Sequence, residues 1–284
     1  MTGFDAFAVS SKTGPHVTMQ ASVVHLGRHW TTTTRGSVKT GAVRRVGTAS
    51  ATRAEGDGWH LVGGRAAILD PMRPWTFADS PLAGALAGGA ILRLLLSQLD
   101  QFIGYAETGR GVPTSFLPAG RVLLVASLDD ELVLDGDDVV RAMGRWAEDQ
   151  APVTADDRAG SPSAPDGRIL ARVPGEIAAL AKVSGPAWLG VETATGAVAL
   201  PAIWDASDGT VRASRAALTA LVAELPGPVC VTLDESGGRR PDEKLGLMLR
   251  GRGAVVAVSD RVATVSIEVG RATCWDGFRS STFG

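Results

Sequence analysis

The chain has few of the residues that build metal centres and disulfide scaffolds. It contains two cysteines, four histidines and one tyrosine among 284 residues. Thiols and imidazoles this sparse and scattered exclude a zinc cluster and a disulfide framework. Cys230 and Cys274 both lie in apolar, strand-like runs, so we expect them to be buried, reduced thiols.

The chain also lacks a long apolar run and a strong excess of either charge. Its longest apolar stretch, Leu82–Leu96, is interrupted by Arg93 and is too short to span a bilayer. No basic segment followed by an apolar one stands near Met1, so we expect no signal peptide and a cytoplasmic location. The formal net charge of −2 and the pI of about 6.1 disfavour non-specific binding to nucleic acid. We therefore expect a protein that binds neither a membrane nor a nucleic acid.

Familiar catalytic motifs are missing as well. The sequence contains no Ser-His-Asp arrangement, no P-loop and no G-x-G-x-x-G after a predicted strand. The acidic residues at 129–131 and 135–138 are interpreted as turn and helix-start residues rather than as a metal site. No metal site is expected, and the catalytic residues stay unassigned.

What the chain does contain is a β-rich unit that occurs twice. Segments of the first half align with segments of the second half in the same order. The aligned pairs are Val9–Gly14 with Val191–Gly196, Thr34–Lys39 with Ser214–Thr219, Gly47 with Gly227, Gly64–Ala67 with Gly251–Ala254, Arg121–Val122 with Arg261–Val262, and Asp135–Gly136 with Asp276–Gly277. A duplicated unit can supply both halves of a symmetric interface, and ligand sites often lie at such a seam.

Residue periodicity predicts the order β-β-β-α-β-β-β in each copy. The predicted strands cover residues 4–10, 17–26, 29–34, 48–53, 59–69, 121–126, 188–193, 198–204, 210–213, 229–233, 245–258 and 262–275. Helices are predicted at 36–45, 81–106, 137–148, 169–181 and 215–225. The segment 150–167 is rich in Pro, Asp, Ser and Ala, and it is the predicted linker between a first unit, 1–149, and a second unit, 168–284.

The candidate binding site is the segment from Thr31 to Lys39, where a predicted strand leads through a glycine turn into a helix. A helix N-terminus offers unpaired N–H groups to an anion such as phosphate, Ser37 adds a hydroxyl, and Arg35 adds charge together with the lysine. The alternative, a helix-capping serine beside two solvated cations, stays open. The Arg44–Arg45 pair could hold a second anionic group or lie on the solvated face of the helix.

Aromatic and histidine side chains each allow two interpretations. Six of the seven tryptophans lie in or beside predicted strands, where packing explains most of them and one or two could wall a planar ligand. His29 and His60 are either hydrogen-bonded structural residues or proton donors and ring-stacking groups. His16 and His25 are given no functional role.

The order of these segments resembles the pyridoxamine 5′-phosphate oxidase-like split β-barrel superfamily. The resemblance rests on V-x-x-x-T-G at the first turn, T-T-R-G-S-V-K-T-G-A-V-R-R at 33–45, G-W-H-L-V-G-G-R-A at 58–66 and G-L-M-L-R-G-R-G-A-V-V at 246–256. It covers about 4–136 and 168–280. It implies a mainly β protein of two tandem split β-barrels with helical insertions, which form a pseudo-dimer within one chain. A further homodimer stays open.

The resemblance also implies a cofactor, because members of this superfamily bind FMN, the deazaflavin coenzyme F420 or, in some cases, haem. The helix before the last strand and the strand at 121–125 fit the deazaflavin branch. The implied phosphate ligands are Thr33, Thr34, Arg35, Ser37 and Lys39, and the implied ligands from the second copy are Arg250, Arg252 and Trp275. The second copy keeps Arg215 but has Ala217 and Thr219 in place of the serine and the lysine, so its own site is expected to be weakened or lost.

The expected function is that of a flavin- or deazaflavin-dependent oxidoreductase that acts on a small organic substrate. The cofactor would lie at the seam between the barrels and supply the redox chemistry, in agreement with the missing catalytic motifs. Two alternatives stay open. One is a cofactor- or haem-binding protein that has lost redox activity, and the other is a structural pseudo-dimer that docks to a partner.

Overall fold

The chain forms two β-barrels. A computed structural model describes residues 4–97, 99, 103–104, 107, 112–147, 151–156, 167–221, 223–235 and 243–284. The first copy contains β1 (Phe4–Ser11), β2 (Gly14–His25), β3 (Arg28–Thr34), α1 (Val38–Val46), β4 (Thr48–Glu55), β5 (Gly58–Leu69), α2 (Trp75–Asp79), α3 (Pro81–Ser97), β6 (Arg121–Ser127), β7 (Asp130–Asp135) and β8 (Asp138–Met143). The second copy contains α4 (Gly167–Leu170), α5 (Gly175–Ala178), β9 (Gly185–Thr193), β10 (Gly196–Asp205), β11 (Thr210–Ser214), α6 (Arg215–Ala220), β12 (Gly227–Glu235), β13 (Leu245–Val258), β14 (Val262–Asp276) and β15 (Arg279–Phe283).

The two barrels have the same strand order. The first closes in the order β4-β1-β2-β3-β6-β5 and back to β4, and the second in the order β12-β9-β10-β11-β14-β13 and back to β12. The long strand β14 corresponds to β6 and β7 joined, and β15 corresponds to β8. Two closed six-stranded barrels in tandem confirm the predicted fold class and the intramolecular pseudo-dimer.

Alternation of side chains along the strands fills each barrel with small and branched residues. Phe7 and Val9 of β1 point into the first barrel, where Ala42 and Val43 of α1 also pack. In the second barrel the largest fully buried side chain is Trp204. Both cysteines are buried and free, as predicted.

The barrels pack against each other along strands that occupy equivalent places in the two copies. Thr52 Oγ1 donates to the carbonyl of Ala199 at 2.6 Å, and the equivalent Thr232 Oγ1 donates to the carbonyl of Val17 at 3.0 Å. Between these bonds lies an apolar layer composed of Ala6, Ala8, Val17, Ala197, Ala199, Cys230 and Met248. We call the two halves of this interface the first seam, where β2 meets β12 and β13, and the second seam, where β10 meets β4 and β5.

The repeated V-x-x-x-T-G motif has a structural reason at its glycines. Gly14 and Gly196 have φ values of 99° and 120°, which favour glycine. A Cβ added at Gly14 would lie 2.9 Å from Pro228 Cβ, and one at Gly196 would lie 2.6 Å from Thr48 Oγ1. Both hairpins therefore need glycine for their turn and for close approach to the other barrel.

Helix α3 belongs to the first copy alone, as predicted, but its buried face differs from its leucine pattern. It buries Ala83, Ala87, Ala90 and Leu94 against Trp30 and its neighbours, and Leu86 is partly buried there. The exposed leucines of the helix are Leu82, Leu92, Leu95 and Leu96. Small residues face the barrel because the helix comes close: a Cβ at Gly89 would lie 2.6 Å from His25 Nε2. No helix among the described residues is long and apolar enough to cross a membrane.

Three helix predictions need correction. In place of the helix predicted at 137–148, residues 138–147 form β8 and a 3₁₀ turn at Gly144–Ala147, and residue 148 lies outside the described residues. The reason is that β8 pairs with β7 and the acidic residues make the connecting turn at Gly136. The predicted helix at 169–181 is broken into α4, α5 and a 3₁₀ turn, since Pro174 interrupts it. Helix α6 ends at Ala220, short of the predicted 225. Of the predicted linker, residues 157–166 lie outside the described residues.

Candidate functional site

Lys39 and Arg250 come from different barrels and lie buried at the first seam. Lys39, on the first turn of α1, is 7% exposed, and its Nζ donates to Thr18 Oγ1 on β2 at 2.6 Å. Arg250, on β13, is 8% exposed and donates to Thr13 Oγ1 at 3.0 Å and to Thr273 Oγ1 at 2.6 Å. The first barrel thus holds the guanidinium of the second.

His16 joins these two cations in one cluster. It lies on β2 and is buried, and its pKa is lowered to about 3 by burial first and then by the charges of Lys39 and Arg250. The imidazole is therefore neutral at physiological pH. Because both cations act on the same imidazole, we treat His16, Lys39 and Arg250 as a unit and call it the seam cluster.

The charge of the seam cluster is only partly balanced. Burial and the nearby charge of Arg121 lower the pKa of Lys39 to about 7, while Asp234 acts in the opposite direction. Burial likewise lowers the pKa of Arg250. No ion pair joins Lys39 or Arg250 to a carboxylate in the described part of the chain. Buried cations whose charge is only partly balanced are costly, so this cluster is suited to an anion.

Two buried nitrogen atoms of the seam cluster have no hydrogen-bond partner in the described structure. They are Arg250 Nε and His16 Nδ1. Buried polar atoms are paired in most proteins, and those left unpaired reduce stability. An oxyanion such as phosphate supplies acceptors for the arginine, for the lysine and, in one tautomer, for the histidine. The donor set therefore fits the phosphate end of a flavin or deazaflavin.

An aromatic side chain lies along the same seam. Trp275 is half-buried on β14 and packs against the apolar layer with Met19 and Met248. Its ring covers Gly246, where an added Cβ would lie 2.1 Å from ring atoms. Arg252 follows Arg250 on the same strand but is exposed, and no described contact ties its side chain to the seam cluster. An apolar, aromatic surface next to cations suits a planar ring with an anionic tail.

The hydroxyls predicted as phosphate ligands stabilise the start of α1. Ser37 Oγ accepts the backbone N–H of Thr40 at 3.2 Å and a hydrogen bond from Thr33 Oγ1 at 3.1 Å. Ser37 is therefore the N-cap of α1, which agrees with the structural alternative left open by the sequence.

Arg35 forms an ion pair with a buried carboxylate. Its Nε and Nη2 contact the two oxygens of Asp70, each at 2.9 Å, and Nη2 also donates to the Ala119 carbonyl at 3.0 Å. This bonding lowers the pKa of Asp70. Beside the pair lies a cleft of about 430 Å³. Its lining residues are Thr34, Arg35, Gly36, Thr114, Ser115, Ala119 and Gly120. Arg35 therefore bonds outside the seam cluster, although it lies only four positions before Lys39 in the sequence.

The second seam is filled by a tryptophan where the first has Arg250. Gly63 occupies the position of Arg250, and Trp146 lies over it: a Cβ at Gly63 would lie 2.9 Å from the ring. Trp146 Nε1 donates to Thr195 Oγ1 at 3.2 Å, as Arg250 donates to Thr13 in the first seam. The other replacements are Val198 for His16, Leu200 for Thr18 and Thr219 for Lys39. The second seam therefore carries no counterpart of the seam cluster among the described residues.

The histidines singled out by sequence lie elsewhere. His29 Nε2 is 2.7 Å from Asp5 Oδ2 inside the first barrel, and its ring stacks on Phe7. His60 lies 2.9 Å from Glu55 and from Glu131 on the surface of that barrel. Both are paired structural residues.

Sequence analysis missed His16 and Thr18, the β2 residues on the face that turns to the second barrel. A usable signal existed in the repeat. At these positions the first copy has polar residues, whereas the aligned second copy has Val198 and Leu200. Where two aligned copies differ by a polar residue in one and an apolar residue in the other at a buried position, the polar residue indicates a site. Lys39, which aligns with the uncharged Thr219, is a further difference of this kind.

Comparisons with known proteins found distant structural matches only. No family model and no curated protein matches the chain. Among solved structures, a pyridoxamine 5′-phosphate oxidase-related, FMN-binding protein from Nostoc punctiforme is 13% identical, with 47% of this chain and 74% of that chain covered and a TM-score of 0.34. An F420 reductase is 15% identical (46% and 89% covered, TM-score 0.31), and General Stress Protein 26 from Bacillus anthracis is 11% identical (50% and 90% covered, TM-score 0.30). Each of these matches covers about half of this chain.

Proposed function

We propose that this chain is a flavin- or deazaflavin-dependent oxidoreductase that binds its cofactor at the first seam and acts on a small organic substrate. The observation that carries the proposal is the seam cluster. Two barrels place Lys39 and Arg250 around one neutral imidazole, below 10% exposure and without a carboxylate ion pair among the described residues. Burying two such cations lowers the stability of the fold unless a bound anion balances their charge.

The phosphate end of the cofactor would be held by Lys39 and Arg250. His16 would accept or donate one hydrogen bond. The first turn of α1, at Val38 and Lys39, would add backbone N–H donors and the favourable end of the helix dipole, since the N–H groups of Arg35 and Ser37 are bonded to the carbonyls of Gly120 and Thr34. Arg35 would act through the positive potential of its guanidinium, since its donors are bonded to Asp70.

The ring end would lie along Trp275 and the methionines of the apolar layer, with Arg252 at the exposed rim near the anionic tail. A bound flavin or deazaflavin supplies hydride transfer, which needs no catalytic triad from the protein. The residues of the chain would then position the ring, exclude water from the seam and keep a proton on Lys39 Nζ beside the phosphate. FMN and F420 share an anionic tail and a planar ring, so the cluster suits both. The helix α3 insertion leads us to favour the deazaflavin slightly.

The test is titration of the purified chain with FMN and with F420, followed by absorbance and by quenching of cofactor fluorescence. Lys39→Ala and Arg250→Ala each remove a charge-assisted contact, which is worth about 1.5 to 3 kcal/mol, so affinity should fall roughly tenfold to a hundredfold. Lys182→Ala, at an exposed lysine of the second copy, is the matched control.

Failure of both cofactors to bind would refute the proposal, as would equal affinities of the Lys39→Ala and Lys182→Ala variants. A Soret band upon addition of haem, without uptake of either cofactor, would instead favour the haem-binding alternative. Turnover of a reducible organic substrate by the loaded protein would separate an oxidoreductase from a protein that only stores the cofactor.

A further inference from the structure

The first copy has a second cleft, away from the seam cluster and built from other elements. It has a volume of about 310 Å³ and lies between α1, β5 and the segment that leads into α2. Val43, Ala67 and Ile68 form its apolar floor, and Arg44, Arg73 and Trp75 are part of its wall. None of its lining residues belongs to the seam cluster.

Positive charge exceeds negative charge around this cleft. Asp70 is fully buried, and its two oxygens are bonded to Arg35, with one of them also accepting the backbone N–H of Met72 at 3.0 Å. Arg44 Nη2 stands 3.9 Å from the same carboxylate, and the charge of Arg73 also acts on it. The guanidinium groups of Arg35, Arg44 and Arg73 thus lie around one carboxylate, and both oxygens of that carboxylate already accept hydrogen bonds.

One further carboxylate, Asp79, lines the cleft, so the balance stays positive. The side chain of Arg44 is 42% exposed, and neither Arg44 nor Arg73 forms a side-chain hydrogen bond within the described ranges. Their donors are therefore available to a ligand anion, and guanidinium groups bind carboxylate or phosphate oxygens in pairs.

Trp75 gives the cleft an exposed aromatic face. It is 60% exposed, whereas Trp30 and Trp204 are fully buried in the barrels. An aromatic ring that stays in water beside two arginines offers a stacking surface to a planar ring. The volume is at the low end for ligand sites, which matches a molecule of one or two rings.

We infer that this cleft binds a small planar aromatic anion, whose ring stacks on Trp75 and whose carboxylate or phosphate group is held by Arg44 and Arg73. The site is independent of the cofactor at the first seam. It also gives a use to Arg44, which the sequence marked as a possible ligand of a second anion.

The experiment uses four probes and the whole chain, with binding measured by calorimetry and by ligand-observed NMR. Benzoate and phenyl phosphate carry both a ring and an anion, whereas benzamide lacks the charge and acetate lacks the ring. We expect saturable binding of at least one of the first two, with a Kd at or below about 1 mM. Benzamide and acetate should bind at least tenfold more weakly.

Variants locate the binding. Trp75→Ala and Arg73→Ala should each weaken the favoured probe about tenfold, and both residues are exposed enough for the chain to keep its fold, which circular dichroism checks. Met72→Ala, 66% exposed, and Arg93→Ala, on the outer face of α3, are matched controls that should change nothing. Lys39→Ala should also bind the probe normally, even if it loses the cofactor.

Three outcomes would overturn the inference. One is the absence of binding of both ring-bearing anions at millimolar concentration. Another is equal affinity in the wild type, Trp75→Ala and Arg73→Ala. The third is loss of probe binding in Lys39→Ala, which would place the probe at the seam. A failure of cofactor binding at the seam leaves each of these measurements unchanged, so the two proposals fail separately.

Discussion

At the residue scale, the decisive group is Lys39. The cost of burial and the charge of Arg121 hold its pKa at about 7, far below the ordinary value of a lysine. Its amine is thus divided between charged and neutral forms under physiological conditions. A phosphate at the seam would favour the charged form, so ligand binding and proton uptake are coupled.

This coupling predicts a pH-dependent affinity for FMN or F420. Well below pH 7, Lys39 already carries its proton in the free protein, whereas above pH 7 binding must increasingly draw a proton from solvent. The affinity should therefore fall above pH 7, by up to tenfold for each pH unit. Fluorescence titrations from pH 7 to pH 9.5 measure it. His16 stays neutral in this range because its pKa is lowered to about 3.

Lys39→Arg is the control for this effect. Arginine keeps its charge throughout this pH range, so the affinity of the variant should be nearly flat above pH 7. A wild type whose affinity shows no change up to pH 9.5, or a variant with the same slope as the wild type, contradicts the assignment of the proton to Lys39.

Burial of Lys39 should lower the free energy of unfolding while it supports cofactor binding. Because the pKa of Lys39 is lowered from about 10.4 in the unfolded chain, the folded chain binds fewer protons between pH 7 and pH 10, and its stability rises over that range. Lys39→Met should raise the free energy of unfolding at pH 7 by about 1 to 3 kcal/mol and weaken cofactor binding roughly tenfold to a hundredfold. Urea unfolding at pH 7 and pH 9 should show the difference from the wild type narrowing at pH 9. A less stable Lys39→Met at pH 7 contradicts this account.

At the element scale, α3 shows how packing overrides a leucine pattern. The helix lies so close to the barrel that alanine fills most of its inner face together with Leu94 and the partly buried Leu86, whereas Leu82, Leu92, Leu95 and Leu96 are exposed. Hydrophobic spacing thus identified the helix without identifying the face that it buries.

This arrangement predicts opposite responses at two neighbouring positions of α3. Ala90 is fully buried, so Ala90→Leu should overpack the interface and lower the free energy of unfolding by about 1 to 3 kcal/mol. Leu92 is 57% exposed, so Leu92→Ala should change it by less than about 0.5 kcal/mol. Urea denaturation at two protein concentrations measures both. If Leu92→Ala lowers the free energy of unfolding by an amount that depends on protein concentration, the exposed face of α3 is buried against a second copy of the chain.

At the scale of the whole molecule, duplication has produced two seams of unequal chemistry. The first carries the seam cluster, and the second carries Trp146 and aliphatic residues at the equivalent places. Divergence of the two copies within one chain allows one seam to keep a polar site while the other contributes packing.

The asymmetry predicts one cofactor per chain. Trp146 is 2% exposed, so Trp146→Ala should lower the free energy of unfolding by about 3 to 5 kcal/mol, as is usual for a large buried aromatic. The stoichiometry should stay at one, because the cavity would contain no cation. Trp75→Ala, at an exposed tryptophan, is the matched control for stability. Calorimetric titration that gives two cofactors per chain would show that the seam cluster does not determine the site.

Much of the fold was predictable because each strand or turn signal in one copy could be checked against the aligned segment of the other copy. The order of strands, the glycine hairpins and the insertion in the first copy all appear in the sequence and in the structure. The helix predicted at 137–148 was wrong because β7 offers β8 a strand partner, and a pairing partner outweighs a weak helical pattern. Among the predicted cofactor ligands, Lys39, Arg250 and Trp275 lie at the first seam. Arg35 instead forms an ion pair with Asp70, thirty-five positions further along the chain.

The sequence by itself determined that one β-rich unit occurs twice and that the two copies differ in their charged residues. Only the tertiary structure decided which charges meet. Barrel closure and the packing of one barrel on the other bring His16, Lys39 and Arg250 into contact range across more than two hundred residues. The same packing assigns Arg35 to Asp70 and Trp146 to the second seam. Local propensity carries no information about such partners, because burial and counter-charge are properties of the assembled interface.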